Sequence, residues 1–239
     1  MMNEEDHLRL QCIYDGFNLL KPYREIKALD DIILSEIDIA YSDELGFITA
    51  SPSNLGTGMR ASVMLFLPAL ERRGEIEIMK NEVRLSGLTI RGLYGEGSGN
   101  YGGFYQISNQ NSLGLSEEEI IDNVTEQIFN VYEMEMSARE DILSSDHLKL
   151  KDEIFRAYGI LKECASLEEG EMIKLLSLVK FGGVLGFLNI KNKEFERLFT
   201  EGASANLREL ANFFEIKKEE VVRAEYINKK IKHLVTKGG

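Results

Sequence analysis

Three arginines of this sequence stand where a positive charge could meet a phosphate. Arg9 lies in an alternating segment near the start of the chain, Arg60 follows a turn-rich loop from Ser51 to Met59, and Arg91 precedes a glycine-rich segment. Backbone amides in such a loop can also bind an anion. Phosphoryl transfer depends on charge neutralisation and alignment, so arginines and Mg²⁺ around the phosphates, with one carboxylate on the nucleophile, would be a sufficient set of groups. The pattern would suit a polyphosphate site.

The first of these segments, residues 7–14, alternates polar and apolar side chains as a half-buried strand does. The alternation places His7, Arg9 and Gln11 on one face. If the strand extends back to Glu5, that carboxylate shares the face and lies about 13 Å from Arg9, at roughly 3.3 Å per residue. The two groups could then hold opposite ends of a substrate. A solvated edge strand fits the same pattern, and the loop before Arg60 could equally be a plain surface loop.

The glycine-rich segment, residues 92–103, holds six glycines and predicts a flap-like loop. Its Gly-x-Gly spacing would suit a dinucleotide site only if a helix followed, whereas the strand-like residues 104–109 come next. The sequence also contains no Gly-Lys-Ser/Thr, so a P-loop is excluded.

The spacing of apolar residues predicts a mixed fold. Strands are predicted at residues 7–14, 60–67, 88–93 and 104–109, and helices at 19–41 and 75–85. Irregularly spaced strands with a long helix after the first predict an α+β fold, in which an antiparallel sheet is flanked by helices.

From residue 115 onward the pattern is helical. Ser116 and Glu119 form a capping box that opens a long helix towards Leu143. Further helices are predicted at residues 148–164, 167–181, 194–199, 206–214 and 217–234. The break at residues 143–146 predicts two domains, residues 1–145 and an all-helical domain of residues 146–239.

Composition excludes several classes of function. The chain has 28 Lys+Arg and 40 Asp+Glu, a formal net charge of −12, which argues against nonspecific nucleic-acid binding. No apolar run is long enough to span a bilayer, and the acidic N-terminus is unlike a signal peptide. Cys12 and Cys164 are far apart and form no Cys-x-x-Cys, so neither a disulfide framework nor a zinc site is expected, and we assign no metal-binding residues. We therefore expect a cytoplasmic protein that binds neither membrane nor nucleic acid.

Taken together, these segments resemble the phosphagen kinase (ATP:guanido phosphotransferase) family, most closely its bacterial protein-arginine kinase branch. The resemblance rests on residues 3–9, 53–64, 91–97 and 106–109. Tyr94 stands where kinases of small guanidino substrates usually carry another arginine, which favours the protein-arginine branch. Residues 150–162 and the last helix are similar to the helical C-terminal domain of that branch. The resemblance implies a glutamine-synthetase-like catalytic domain at residues 1–145.

The resemblance also implies an activity and a partner set. The implied kinase is a dimer that uses ATP and Mg²⁺ to phosphorylate arginine side chains of proteins, which marks them for Clp-type proteolysis. Glu5 matches the carboxylate that orients the target guanidinium and takes its proton. A base is needed because a charged guanidinium is a poor nucleophile until it loses a proton. Ser51 matches a family position that lies beside the guanidinium. The matching ATP-binding positions are Arg9, Arg60, Ala61, Ser62, Val63, Met64, Arg91, Gly92, Leu93, Tyr94, Gly95 and Glu96.

Several positions depart from the family pattern. The N-terminal third of the family, with its Ser-x-Arg-type nucleotide-binding segment, has no counterpart in this sequence, so we expect part of the arginine clamp to be lacking. Ser51 replaces the reactive cysteine of the family, and its hydroxyl cannot supply a thiolate at neutral pH. Gly99 stands at or near a flap glutamate, which leaves Glu5 as the main carboxylate.

The last helix departs from the pattern as well. The branch carries an Arg-Asp-x-x-Arg-Ala motif that binds phosphoarginine, and only Arg223 and Ala224 match it here. Glu219 stands where a cation should meet the phosphate, which is unfavourable for an anion.

These departures leave two other hypotheses open. The chain could be a noncatalytic module that dimerises or docks onto a true kinase or a Clp component through its helical domain. It could also be a truncated gene product that folds poorly.

Overall fold

The computed structural model describes residues 6–92, 102–211 and 218–238. The chain divides into two compact units, the first of residues 1–92 and 105–136 and the second of residues 93–104 and 137–239. The division falls inside one long helix, between Met136 and Ser137. The boundary at residues 145 and 146 stays a prediction.

The first unit combines two small sheets with helices. Its strands are β1 (Tyr41–Ser42), β2 (Gly46–Phe47), β3 (Ser62–Phe66), β4 (Leu88–Gly92) and β5 (Phe104–Asn109). Its helices are α1 (Leu20–Glu36), α2 (Pro68–Arg73), α3 (Ile76–Leu85) and the first part of α4 (Glu117–Ser145). β1 pairs with β2, and the larger sheet has the order β3-β5-β4, with β5 antiparallel to β4. The predicted α+β fold is confirmed.

The larger sheet has one apolar and one polar face because its strands alternate as the sequence predicts. In the register of β4 and β5, Ile90 lies opposite Ile107 and Arg91 lies opposite Gln106. Both isoleucines are buried, and so is Tyr105 on the same face. The opposite face, which carries Arg91 and Gln106, is the polar face of the sheet.

The predicted strand at residues 7–14 is wrong. Leu8 forms an isolated bridge, and the following residues up to Tyr14 have no regular secondary structure. This segment is instead tied to α1 through Glu25, which accepts a hydrogen bond of 2.5 Å from the Tyr14 hydroxyl. The Cys12 thiol lies 3.8 Å from the same carboxylate, and the ammonium of Lys21 lies 4.5 Å from the Tyr14 ring centre. Side-chain contacts with a helix have replaced the ladder that a strand requires.

The second unit is mainly helical. It contains the end of α4, then α5 (His147–Glu163), α6 (Glu169–Val184), α7 (Asn192–Glu201), α8 (Ser204–Ala211) and α9 (Glu219–Leu234). Fully buried side chains of α5, α6 and α9 form its core, among them Ile154, Leu176 and Ile227. A described helix lies at each helical segment predicted after residue 115, and residues 212–217, which two of those predictions include in part, lie outside the described residues.

The second unit also contains a short two-stranded sheet that the sequence did not predict. β6 (Leu188–Ile190) pairs antiparallel with β7 (Val235–Lys237). The chain becomes extended at Val235, directly after α9, and this lets the two three-residue segments pair. Across the described ranges, no helix combines the length and the apolar composition that crossing a membrane requires.

Candidate active site

The polar face of the larger sheet carries a row of side chains from all three strands. Arg91 on β4 lies opposite Gln106 on β5, whose amide donates a hydrogen bond of 2.9 Å to the hydroxyl of Ser62 on β3. Two residues further along β5, Ser108 lies opposite Thr89. Because residues two apart in a strand share a face, Gln106 and Ser108 belong to one polar surface.

Arg60 enters this surface from the segment that precedes β3. Its Nε and Nη2 atoms donate hydrogen bonds of 3.3 and 3.0 Å to the hydroxyl of Ser108. Burial lowers the pKa of the Arg60 guanidinium, and the positive charges of Arg91 and then of Arg9 lower it further. Arg91 and Arg9 therefore lie close enough to Arg60 to repel its charge, and we call the three residues the arginine cluster (Arg9, Arg60 and Arg91). Such a grouping of cations is stabilised when an anion binds among them.

Asn109 fixes the backbone on both sides of Arg60. Its side-chain oxygen accepts a hydrogen bond of 2.8 Å from the amide of Ala61, and its Nδ2 donates one of 3.0 Å to the carbonyl of Met59. The backbone amide of Asn109 also donates to the carbonyl of Ala61. Asn109 is buried at the end of β5, so its contacts hold the arginine-bearing segment against the sheet.

The loop before Arg60 depends on a close backbone approach at Gly56. Its φ angle is +102°, and a Cβ atom there would lie 2.3 Å from the carbonyl oxygen of Ser112. The Ser112 hydroxyl donates to the carbonyl of Leu55 at 2.8 Å. Only glycine fits both the positive φ and this approach. The loop is therefore anchored to the chain that follows β5.

Asp6, the first described residue of the chain, is hydrogen-bonded to the segment around Ser51. One carboxylate oxygen accepts a hydrogen bond of 2.6 Å from the amide of Ala50, and the other accepts one of 3.2 Å from the side-chain amide of Asn54. The Ser51 hydroxyl lies 2.9 Å from that of Ser53. These contacts hold Asp6 against the loop that contains Ser51.

The structure brings together part of the predicted site. Arg60, Arg91 and Ser62 share the polar face, and Arg9 lies close enough to Arg60 to lower its pKa. Met64 lies on the same side of β3 as Ser62 and is 46% exposed. Val63 points to the opposite side of β3, and Gly92 ends β4. Glu5, Leu93, Tyr94, Gly95, Glu96 and Gly99 lie outside the described residues.

Four residues of the site were not predicted as functional, namely Asp6, Gln106, Ser108 and Asn109. The alternation of residues 104–109 could have placed Gln106 and Ser108 on the face of Arg91, once β4 and β5 were paired. Asp6 and Asn109 act through contacts with residues more than forty positions away, for which the sequence gives no local signal.

Arg223 has a different environment from that of a ligand-binding arginine. Its side chain is 2% exposed and donates to the carbonyls of Gly202 at 2.8 Å and Leu167 at 2.9 Å. It also contacts Ser204 and the carboxylate of Glu219. Ala224 is buried beside it. These contacts favour a structural role, and phosphoarginine binding at this position stays a prediction.

The described residues do not offer a set of ligands for a metal ion. Within residues 6–92, 102–211 and 218–238 there is no group of three or more His, Cys, Asp or Glu side chains able to hold one. Mg²⁺ in kinases is bound largely by substrate phosphates and water with one or two carboxylates.

Comparison with known proteins identifies the family. A model of the C-terminal catalytic domain of ATP:guanido phosphotransferase matches residues 1–138. The chain belongs to the ATP:guanido phosphotransferase family. It is therefore a phosphotransferase by family, with ATP as the phosphoryl donor. A second model, the protein-arginine kinase McsB C-terminal domain, matches residues 147–238.

Individual relatives agree with this assignment. The protein-arginine kinase of Clostridium tetani (strain Massachusetts / E88) is 40% identical over 237 residues, which are 98% of this chain and 70% of that protein. The protein-arginine kinase of Clostridium acetobutylicum is 42% identical over 234 residues, 97% of this chain and 69% of that protein. Among solved structures, the crystal structure of lombricine kinase has a TM-score of 0.52 and 30% identity, and covers 59% of this chain and 39% of its own. The resemblance that the sequence motifs predicted is confirmed.

Proposed function

We propose that this chain is a protein-arginine kinase, which transfers the γ-phosphoryl group of ATP to arginine side chains of protein substrates. The observation that carries the proposal is the arginine cluster, of which Arg60 and Arg91 lie on the polar face of the β3-β5-β4 sheet. The positive charges of Arg91 and Arg9 lower the pKa of Arg60, together with its burial. Relatives named protein-arginine kinase, matched over nearly the whole chain, support the choice of acceptor.

In this proposal the polar face receives the triphosphate. Arg60, held by Ser108 and by the Asn109 contacts to its neighbours, meets the phosphate charge together with Arg91 and Arg9. The Ser62 hydroxyl and the Gln106 amide offer neutral polar groups on the same face. Fixed cations around a transferring phosphoryl group stabilise the charge of the transition state and require no rearrangement during the reaction.

The acceptor side of the reaction needs a base. A guanidino nitrogen of the substrate attacks the γ-phosphorus, the bond from that phosphorus to the bridging oxygen breaks, and ADP leaves. Glu5 takes the proton that the guanidinium loses. Asp6, the next residue, accepts hydrogen bonds from the backbone amide of Ala50 and the side-chain amide of Asn54, on either side of Ser51. We assign Ser51 to contact with the guanidinium, in the position that the resemblance gives it.

Further features of the proposal rest on the resemblance alone. We propose that Mg²⁺ accompanies ATP, that the kinase acts as a cytoplasmic dimer, and that its products are passed to a Clp-type protease. We also propose residues 1–145 as the catalytic domain and residues 146–239 as the helical C-terminal domain.

The test is a phosphorylation assay with purified chain, MgATP and an arginine-containing protein. Phosphoarginine is detected by mass spectrometry under non-acidic conditions, since its P–N bond is acid-labile. We expect wild type to form phosphoarginine and Glu5→Ala to form none, while ATP binding by calorimetry is unchanged in the variant. Loss of ATP binding in Glu5→Ala would contradict the role of base.

One observation favours a noncatalytic binding module as a second candidate. Ser51 replaces the reactive cysteine, and its hydroxyl lies within hydrogen-bond distance of the Ser53 hydroxyl. A cooperatively folded wild-type chain that binds MgATP and forms no phosphoarginine would favour this candidate over the kinase.

A further inference from the structure

An open groove lies between α5 and β7 within the second unit. It has a volume of about 280 Å³ and is lined by Phe155, Tyr158, Gly159, Lys162 and Lys237. We call it the lysine-aromatic groove. The hydroxyl of Tyr158 donates a hydrogen bond of 2.7 Å to the carbonyl oxygen of Val235, which holds the start of β7 against α5. Lys237 lies two residues further along β7, on the same side of the strand as Val235, and so faces α5.

The lysines of the groove are held against aromatic rings. The ammonium group of Lys162 lies 5.2 Å from the centre of the Tyr158 ring, and that of Lys237 lies 5.7 Å from the centre of the Phe155 ring. Lys151, one turn before Phe155 on α5, has its ammonium group 5.9 Å from the centre of the same ring. A cation over the face of a ring is attracted to it and keeps much of its contact with water at an exposed site.

These three cations are not neutralised by carboxylates of the chain. Over residues 6–92, 102–211 and 218–238, the salt bridges of the structure do not include Lys151, Lys162 or Lys237. By contrast, Lys232 on α9 is paired with Glu163, the neighbour of Lys162. The whole chain has a formal net charge of −12, so acidic side chains are abundant elsewhere. An anionic group that enters the groove would meet these charges without displacing an internal partner.

Gly159 indicates that a ligand approaches α5 closely. It lies inside α5, where glycine stabilises a helix less than alanine does. Gly159 is exposed, and a Cβ atom there would have no atom within 4 Å beyond its chain neighbours and its own helix backbone. Packing within the chain therefore gives no reason for glycine at this position. The missing side chain leaves room for a bound backbone to lie directly against the helix.

We propose that the lysine-aromatic groove binds an acidic peptide segment of a partner protein, in which an apolar residue lies between acidic ones. Lys151, Phe155, Gly159 and Lys162 follow one face of α5 over about 16 Å, at 1.5 Å per residue. About five residues of extended peptide span this length at roughly 3.3 Å each. The acidic side chains reach the lysines, and the apolar side chain between them rests on the Phe155 ring beside Gly159. A nucleic acid fits less well, because the net charge of −12 repels a long phosphate backbone.

The experiment measures binding of a fluorescent peptide to the full chain by fluorescence polarisation. The peptide is acetyl-Ser-Glu-Asp-Leu-Asp-Glu-Ser-amide, and the reference peptide has Gln for Glu and Asn for Asp, which removes the charges and keeps the shape. The variants are Gly159→Ala and the double variant Lys162→Gln with Lys237→Gln. Gly170→Ala is the matched control for the first, because a Cβ atom at Gly170 of α6 also has open space around it. Lys229→Gln, at an exposed position on α9, is the control for the second.

We expect wild type to bind the acidic peptide more tightly than the neutral one, and less tightly as salt increases. The double lysine variant should raise the Kd of the acidic peptide about fivefold, which is the contribution of two exposed ion pairs. Gly159→Ala should raise the Kd at least about threefold, because a methyl group lifts the peptide off the helix and close contacts are lost. The same variant should raise the melting temperature, because alanine favours a helix more than glycine does. Gly170→Ala and Lys229→Gln should keep the Kd of wild type.

Three results would overturn the proposal. The first is equal binding of the acidic and neutral peptides, or no binding of either by the folded chain. The second is a Gly159→Ala variant that melts at a higher temperature and binds the acidic peptide as wild type does. The third is a wild-type dimer, measured by light scattering, that becomes monomeric in the double lysine variant, since a second copy would then fill the groove. Because these assays contain no ATP, their outcome does not depend on the kinase activity.

Discussion

Arg60 illustrates how a single side chain can be prepared for an anion. Its guanidinium is bonded on one side to Ser108, and burial together with the charges of Arg91 and Arg9 lowers its pKa. A bound triphosphate would replace this repulsion with attraction, so part of the affinity for ATP comes from relieving a strain that exists in the free protein.

We expect Arg60→Ala to weaken ATP binding by at least about tenfold, since a hydrogen bond to a charged group contributes about 1.5–3 kcal/mol. Arg60→Lys should recover only part of the loss, because an ammonium cannot reproduce the planar two-nitrogen contact with Ser108. Calorimetric titration with ATP checks both, with Arg24→Ala on the exposed side of α1 as the control. Equal affinities for wild type and Arg60→Ala would remove Arg60 from the site.

At the level of single residues, prediction from the sequence depended on local signals. The arginines were found because each stands beside a turn-rich, glycine-rich or acidic segment. The roles of Asp6 and Asn109 depend on hydrogen-bond partners that the fold brings near. Neither the residue type nor the spacing of Asp6 and Asn109 predicts these partners. The family motifs included both positions without assigning them a contact.

Among the elements, α4 shows the difference between local and distant signals. Its predicted capping box is confirmed, because the Ser116 hydroxyl accepts a hydrogen bond from the Glu119 amide and the Glu119 carboxylate accepts one from the Ser116 amide. Further along the same helix, the buried carboxylate of Glu135 accepts hydrogen bonds from the amides of Ala69 and Leu70 at 3.2 and 3.0 Å. These amides belong to the first turn of α2, which has no intrahelical partners for them.

A six-residue helix such as α2 is too short to show a period, and its cap comes from another element, so neither could be predicted from the sequence. The strand prediction for residues 7–14 was wrong for the opposite reason, because here the local signal is present and the distant partner is not. Its alternation is clear, but a strand also needs a partner, and these residues contact α1 instead.

Replacing Glu135 tests the distant cap. We expect Glu135→Leu, which keeps the volume, to lower the free energy of unfolding of the first unit, because each buried donor left unsatisfied costs about 1–3 kcal/mol. Urea denaturation followed by circular dichroism measures the change. Glu133→Leu, at an exposed position on the same helix, is the control and should unfold close to wild type. If the two variants unfold alike, Glu135 does not cap α2.

On the scale of the whole molecule, composition and periodicity predicted a mixed first part and a helical second part. The β6-β7 sheet could not be predicted, because three-residue strands carry no measurable alternation. What the sequence did contain is the apolar spacing of α5, α6 and α9, whose side chains form a closed core within the second unit. A family model also matches residues 147–238 as a domain.

We therefore expect residues 137–239, expressed alone, to fold and to unfold cooperatively on heating. Within this fragment the buried Arg223 joins α9 to the carbonyls of Gly202 and Leu167. Arg223→Ala leaves these carbonyls without their donor and should lower the free energy of unfolding by at least about 2 kcal/mol. Lys229→Ala, exposed on the same helix, should change it little.

Circular dichroism against temperature and urea measures all three forms of the fragment. A cooperative transition that Arg223→Ala weakens and Lys229→Ala does not would establish residues 137–239 as an independent domain stabilised by its buried arginine. A fragment that is helical but melts without a transition would mean that its core needs the rest of the chain. The proposed boundary between residues 145 and 146 would then not separate folding units, because the packing that gives α5, α6 and α9 one stable arrangement would depend on residues before it.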